Sequence, residues 1–399
     1  MAIEQFFLGV FVIVLLLYIT RLNSLLKSTP NEVQGLSSEP WTPELLRKTY
    51  DVLEETPIET NDQLPPKLNR RYIVTGGNGL VGGYIVLQLL ARGTSPRNIR
   101  ILDIRKTERG DMLAYPATQV EFVQTDIASR PSVNEAFAQP WDPSVAHLPL
   151  TVFHTAAVII PSARSRFLYE FPEAVNIGGT NNVLAASRAA GADVFSATSS
   201  ASISVRPVKA FVAPWTTLPQ NYWQFLDEKD FFRPLGCREE YFGNYAATKA
   251  VAERLVCAEN EASFRTGCIR PANGVYGHPM DNPVGGLLTQ ETNPTLPFLQ
   301  RRLPEVRGHV KRLQPGLFSI CTHLIASDAD ARKPASEGGL GYRGALTTLQ
   351  GVVMEIMEWN REHMSELDGG QKKAYTNSVT LAEKMQGFGA HMPIRRGDS

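Results

Sequence analysis

The apolar positions along this chain change period several times, and each change marks an element. Phe6–Ile19 is apolar throughout apart from Gly9 and Tyr18, with no polar face. With Ala2, Ile3 and Thr20 it nearly reaches the ~20 residues that a membrane-spanning helix needs. Ser28–Arg70 follows, rich in Pro, Glu, Thr and Asn, and reads as a tether. Within it the spacing predicts a short helix over Trp41–Leu53, with Thr42 as N-cap and Pro43 at the first helical position. From Arg71 onward, short apolar runs alternate with helix-period stretches. Strands are expected at 71–74, Ile99–Asp103, Val120–Asp126, Leu150–Ala157, Ala192–Ser200 and Gly267–Pro271, and helices at Leu80–Leu90, Pro172–Ala190 and Tyr245–Asn260. Strands separated by helices predict a parallel sheet covered on both faces, an α/β doubly wound architecture with ligands at the strands' carboxyl ends.

The pattern weakens after about Pro294. Leu299–Gly341 carries clustered charge, prolines and glycines with little sustained period, so it buries too little apolar area to offset its ordering entropy and is expected to pack poorly. A helical stripe returns at Leu346–Met364, through Leu349, Val352, Val353, Ile356 and Met357. The expected division is an anchor (1–22), a linker (23–69), a dinucleotide-binding domain (70–295) and a small, atypical C-terminal region (296–399).

Charge and cysteine content remove some functions. Among 399 residues, 40 Lys+Arg balance 40 Asp+Glu, so no global field points to nucleic acid. The four cysteines form no CxxC pair and have no ligand spacing with His, which predicts reduced thiols facing the cytosol and no metal site. Glu4 is the only charged side chain before the apolar run, and no small-x-small cleavage site follows it, so an uncleaved anchor fits better than a signal peptide. Arg21 and Lys27 lie on its carboxyl side. The positive-inside rule then leaves the body in the cytoplasm, and the endoplasmic reticulum is the expected membrane.

Candidate chemistry begins at Arg71-Tyr-Ile-Val-Thr-Gly-Gly-Asn-Gly-Leu-Val-Gly-Gly-Tyr84, a strand, a glycine turn and an apolar helix. Glycines there let backbone approach a pyrophosphate, and the helix N-terminus supplies free N–H groups. Two registers fit, Gly77-x-Gly79-x-x-Gly82 and Gly76-x-x-Gly79-x-x-Gly82, and Thr75 favours the second. Asp103 ends the next strand, where a ribose-binding carboxylate should fall. It should repel a 2′-phosphate and so favour NAD, with NADP as the alternative because Arg105 and Lys106 soften that preference. The small pair Ala156-Ala157 ends another strand, where a bulky side chain would collide with the cofactor.

Tyr245-Ala-Ala-Thr-Lys249 opens a helix, and residues four apart share a helix face. A phenol has a pKa of ~10 and is a poor base at neutral pH. A nearby ammonium and an oxidised nicotinamide would both favour the phenolate. Ser200 ends the preceding strand, positioned to hydrogen-bond a substrate oxygen, with Ser199 as the alternative hydroxyl. Together, Tyr245, Lys249 and Ser200 beside a nicotinamide make a hydride-transfer site.

As a set, Thr75–Gly82, Asp103, Asp126-Ile127, His154-Thr-Ala-Ala157, Val175–Asn182, Thr198–Ala201, Tyr245-x-x-x-Lys249 and Arg270-Pro-x-x-x-Val-Tyr-Gly277 resemble the extended short-chain dehydrogenase/reductases. Within these the chain is most similar to the 3β-hydroxysteroid dehydrogenase branch, which includes the decarboxylating sterol-4α-carboxylate 3-dehydrogenases. Asp227-Glu228 and Lys249-Ala-Val-Ala-Glu253 fit that branch. The resemblance covers about residues 70–295. It implies a Rossmann-fold enzyme using NAD or NADP, with Asp126 and Ile127 flanking the adenine and Asn176 on a helix near the active site. It also implies an apolar substrate, the 3β-hydroxyl of a sterol or triterpenoid. A C4 carboxylate on that substrate would leave as carbon dioxide from the β-keto acid. The rival readings are a nucleotide-sugar epimerase, a ketone reductase and a non-catalytic NAD-binding membrane protein. Nothing in the sequence addresses oligomeric state.

Overall fold

The computed structural model describes residues 2–36, 40–59, 63–160, 163–209, 212–272, 319–320 and 322–367. Val275–Gly277, His278, Cys321 and residues 299–318 of the weakly patterned tail lie outside the described residues.

The alternating runs form one six-stranded sheet. Its strands are β1 (Arg71–Thr75), β2 (Ile99–Asp103), β3 (Glu121–Gln124), β4 (Leu150–His154), β5 (Ala192–Thr198) and, from a later run, β7 (Arg265–Ile269). All pairings are parallel, and the spatial order is β3-β2-β1-β4-β5-β7. The order reverses between β1 and β4, so the crevice for a ligand opens above the ends of those two strands. Fold class and strand succession follow the sequence pattern. β3, β4 and β5 are shorter than expected, because the residues after Gln124, His154 and Thr198 leave the ladder to form the loops around that crevice.

Alternation within each strand splits the core between two faces. Ile73, Leu102, Val152 and Phe195 pack with Val133, Val183 and Val256 on one side. Tyr72, Val74, Ile99 and Ile101 pack with Val86, Leu89 and Leu90 on the other. The covering helices include α3 (Leu80–Ala91), α4 (Arg130–Ala138) and α6 (Asn244–Ala258). Between them α5 runs Glu170–Glu173, widens to a π-helical turn over Ala174–Gly179 and continues through Thr180–Ala189.

Outside this body, α1 (Ala2–Lys27) is long and apolar enough to cross a membrane. Its last turns are docked. Tyr18, Arg21, Leu22, Leu25 and Leu26 form a stripe at helical spacing, and all are at least partly covered. Val212 N–H donates to the Tyr18 hydroxyl (3.2 Å), Arg21 donates to the carbonyl oxygens of Ala213 and Thr216, and the Tyr222 hydroxyl donates to Leu26 O (2.5 Å).

The N-cap of α2 (Pro43–Glu55) is Thr42, whose hydroxyl accepts from Leu45 N–H at 3.1 Å. This helix packs on α7 (Thr348–Leu367), the helix the tail pattern predicts. Most residues of Asp328–Gly341 are exposed, as expected of a poorly packed stretch. Within Leu299–Gly341, His323–Ala326 forms strand β8, paired in parallel with β6 (Trp223–Leu226). A four-residue strand carries too little alternation to be read from its own residues.

Candidate active site

The glycine turn is shaped by contacts that only glycine allows. Gly76 has φ +69°, and a Cβ there would lie 2.7 Å from Ala156 N. A Cβ on Gly82 would lie 2.3 Å from Gly76 O, so α3 seats directly on the end of β1. Gly79 is the N-cap of α3, with φ −85° and no side-chain cap, leaving the first N–H groups of the helix for an anion. These features fit the diphosphate of a dinucleotide. Ala156 touches the turn as expected of a small residue at that strand end, and Ala157 follows it, partly buried.

Asp103 is buried at the end of β2 and holds the turn from the side. Its carboxylate accepts from Asn78 N–H (3.0 Å) and from Arg105 N–H (2.9 Å). Asp126 is exposed and accepts from Ala128 N–H at 2.9 Å. Ile127 is buried in the core below Gly179, where a Cβ would come within 2.7 Å of its Cδ1.

The two serines at the end of β5 have different partners. Ser199 is buried and donates to Glu253 Oε2 at 2.5 Å. Glu253 is also paired with Arg270, which reaches Asp230 as well, so Ser199 belongs to a buried ionic cluster. Ser200 instead accepts from Ser202 N–H (3.2 Å) and lies near enough to the Tyr245 phenol to favour its ionised form. Tyr245 is half-buried and packs against the cluster that holds Ala201 and Ile203. Burial pushes its pKa up to about 12, against the smaller downward pull of Ser200.

Lys249, one turn along α6, is buried and donates to Thr198 O at 2.6 Å. Burial lowers its pKa to about 8, while Cys268 and Glu253 favour the ammonium. The expected influence of Lys249 on the phenol is not what governs it here, since the ammonium is committed to the strand end.

Sequence spacing gave no sign of the polar relay joining β1 to α6. Thr75 Oγ1 lies 2.8 Å from His154 Nδ1, and His154 Nε2 lies 3.0 Å from Thr180 Oγ1. The Thr180 hydroxyl donates to Asn176 O (2.7 Å), so Nε2 is the protonated ring nitrogen and Nδ1 accepts from Thr75. Asn176 Nδ2 in turn donates to Thr248 Oγ1 (3.0 Å), and the Thr248 hydroxyl meets the carbonyl oxygens of Asn244 and Tyr245. Asn176 also clamps Val158 through both its N–H and its carbonyl. His154, Thr180, Thr198, Lys249, Glu253 and Cys268 surround a void of about 10 Å³, room for a single water. Glycine turn and candidate catalytic helix are thus tied through one buried network at the sheet's reversal point.

Residues 73–212 match the model of the 3-beta hydroxysteroid dehydrogenase/isomerase family. The match covers about a third of the chain and agrees with the resemblance its motifs carry. The matched segment holds the glycine turn, Asp103, Ala156 and Ser200, and ends before Tyr245. A 3 beta-hydroxysteroid dehydrogenase/Delta 5-->4-isomerase of Mycobacterium tuberculosis is 32% identical over 211 residues, 52% of this chain and 48% of that protein. The human decarboxylating sterol-4-alpha-carboxylate 3-dehydrogenase is 29% identical over 244 residues, 60% of this chain and 54% of that protein. This chain spans about half the length of these relatives. A Thermus thermophilus UDP-glucose 4-epimerase solved with NAD shares 18% identity over 73% of this chain and 99% of its own, at a TM-score of 0.42, a loose likeness from which nothing about substrate follows.

Proposed function

We propose that this protein is a membrane-anchored oxidoreductase that moves a hydride between a nicotinamide dinucleotide, NAD in preference to NADP, and a secondary alcohol or ketone. The substrate we favour is the 3β-hydroxyl of a sterol or triterpenoid, with loss of a C4 carboxylate as a further option. The observation that carries this reading is the juxtaposition of Ser200 and Tyr245 beside the carboxyl ends of the sheet. The family match and the names of the relatives support the substrate class. In this reading 1–22 anchor the chain in the endoplasmic reticulum membrane, 23–69 link it, 70–295 bind the dinucleotide and 296–399 complete the substrate lobe.

Gly76, Gly79 and Gly82 would cradle the diphosphate, Asp103 the ribose, and Asp126 and Ile127 the adenine side. The dinucleotide, when bound, supplies the hydride donor or acceptor. The chain supplies the proton and the orientation. Ser200 holds the substrate oxygen next to the phenol. With its pKa raised, Tyr245 is a neutral donor at physiological pH, suited to protonating the alkoxide formed from a ketone. In the oxidative direction it must act as a base, which requires positive charge nearby to favour the phenolate. Lys249, one turn along α6, would provide part of that charge and an oxidised nicotinamide the rest. Turnover of a sterol panel with each dinucleotide, in detergent, tests the proposal. Oxidation or reduction at the 3-position supports it, and turnover of a nucleotide sugar alone would replace it with the epimerase reading.

A further inference from the structure

We infer that the turn Ala213–Thr216, with Trp215 at its tip, is an interfacial contact seated in the headgroup layer of a phospholipid bilayer. The inference rests on reading α1 as a membrane-crossing helix. The uncharged stretch of α1 runs from Phe6 to Thr20, after Glu4 and Gln5 and before Arg21. Counted generously from Ile3, that is about 27 Å of helix at 1.5 Å per residue. The hydrocarbon of a bilayer is about 30 Å thick. The helix therefore has no slack, and Arg21 must lie at the boundary between hydrocarbon and headgroups.

Arg21 does not reach that boundary alone. Its guanidinium donates to the carbonyl oxygens of Ala213 and Thr216, and Tyr18, a turn earlier, accepts from Val212 N–H. Thr216 N–H closes the turn on Ala213 O at 3.0 Å, leaving Pro214 and Trp215 as its two central residues. The turn is thus fixed at the depth of Arg21. Trp215 is 84% exposed there, an indole with no apolar cover from the protein. An exposed indole at a membrane boundary is stabilised by the headgroup layer, where its ring meets apolar and polar surroundings together.

The same segment leads back to the site. Ile203 and Val205, between Ser200 and this turn, are buried in the apolar cluster on which Tyr245 packs. The proposed bilayer contact and the candidate catalytic serine are 15 residues apart along the chain.

The test uses the full chain in phosphatidylcholine vesicles, comparing wild type with Trp215→Phe. Emission lost in the variant reports Trp215 alone, and co-flotation with the vesicles reports the anchor. We expect both proteins to co-float. Lipid carrying a nitroxide at acyl carbon 5 should quench the Trp215 component at least twofold more than lipid labelled at carbon 12, and that component should be shielded from iodide. A co-floating protein whose Trp215 component stays open to iodide and unquenched by either lipid overturns the interfacial contact while the anchor stands. A chain that fails to co-float overturns the anchor, and the contact with it.

Discussion

Lys249 donates its ammonium to the carbonyl oxygen of Thr198 at 2.6 Å, so the end of β5 holds it, although it lies one helical turn from Tyr245. Burial and Ser200 set the acidity of the phenol. The Tyr245 hydroxyl is then the only part of that side chain the proposed chemistry needs. Tyr245→Phe should keep dinucleotide affinity, measured by calorimetry, and lose turnover by about 10²–10⁴-fold, the range for removing a general acid or base. Near-normal turnover in that variant would remove Tyr245 from the mechanism.

Gly76 and Gly93 both have positive φ, +69° and +86°, but only Gly76 is crowded. At Gly93 the nearest atom to a new Cβ is Lys67 Cδ, 3.9 Å away. Gly93→Ala should therefore cost only the backbone strain, on the order of 1–2 kcal/mol, and leave dinucleotide binding intact. Gly76→Ala adds a collision with Ala156 and should lose more stability and most of the binding. Equal melting shifts with equal binding in the two variants would show that the close approach at Gly76 is unimportant.

The Asp103 carboxylate both carries charge and accepts from two backbone N–H groups. Asp103→Ala should leave those donors unsatisfied, at about 1–3 kcal/mol each, as well as weakening NAD. Asp103→Asn keeps an acceptor and removes the charge, so it should retain most of the stability while shifting the affinity ratio toward NADP. Dissociation constants for both dinucleotides decide this. A wild type that already binds NADP much more tightly would refute the charge argument.

The parts of the fold legible in the sequence are those whose residues are neighbours along the chain. β1, β2 and β4 are largely apolar runs, with Arg100 and Thr151 the interior exceptions in β2 and β4, because both faces of a parallel strand are covered, and the glycine turn is local by nature. What joins them is not local. His154 meets Thr75 and Thr180, and Asn176 meets Thr248, across separations that no spacing rule addresses. In the sequence His154 stands out only as the first residue of His154-Thr-Ala-Ala157. Its role as the buried pivot of the relay depends on the parallel registers that set β4 beside β1. For the same reason the ionic cluster of Glu253, Arg270 and Asp230, and the docking of α1 on the turn at Ala213–Thr216, left no trace in the pattern.

The last prediction concerns His154 and acid. Its ring is buried, Nδ1 accepts from Thr75, and only Nε2 carries hydrogen. Burial lowers its pKa to about 3, with Lys249 adding to the shift, against 6.5 for the free side chain. The unfolded chain therefore binds a proton that the folded chain refuses anywhere between those two values. Above pH 6.5 neither state is protonated there and His154 contributes no pH dependence. As pH falls below 6.5 the unfolded state gains, by about 1.4 kcal/mol per unit, until the folded ring titrates near 3. At pH 5 this amounts to about 2 kcal/mol. His154→Gln cannot take up the proton. Its stability should be lower than wild type at pH 7, because the relay is disturbed, but should fall by about 2 kcal/mol less on going from pH 7 to pH 5. Denaturant titrations of both proteins in the same detergent at the two pH values give the difference directly. Parallel losses in wild type and variant would mean that His154 is not the buried neutral group its contacts describe.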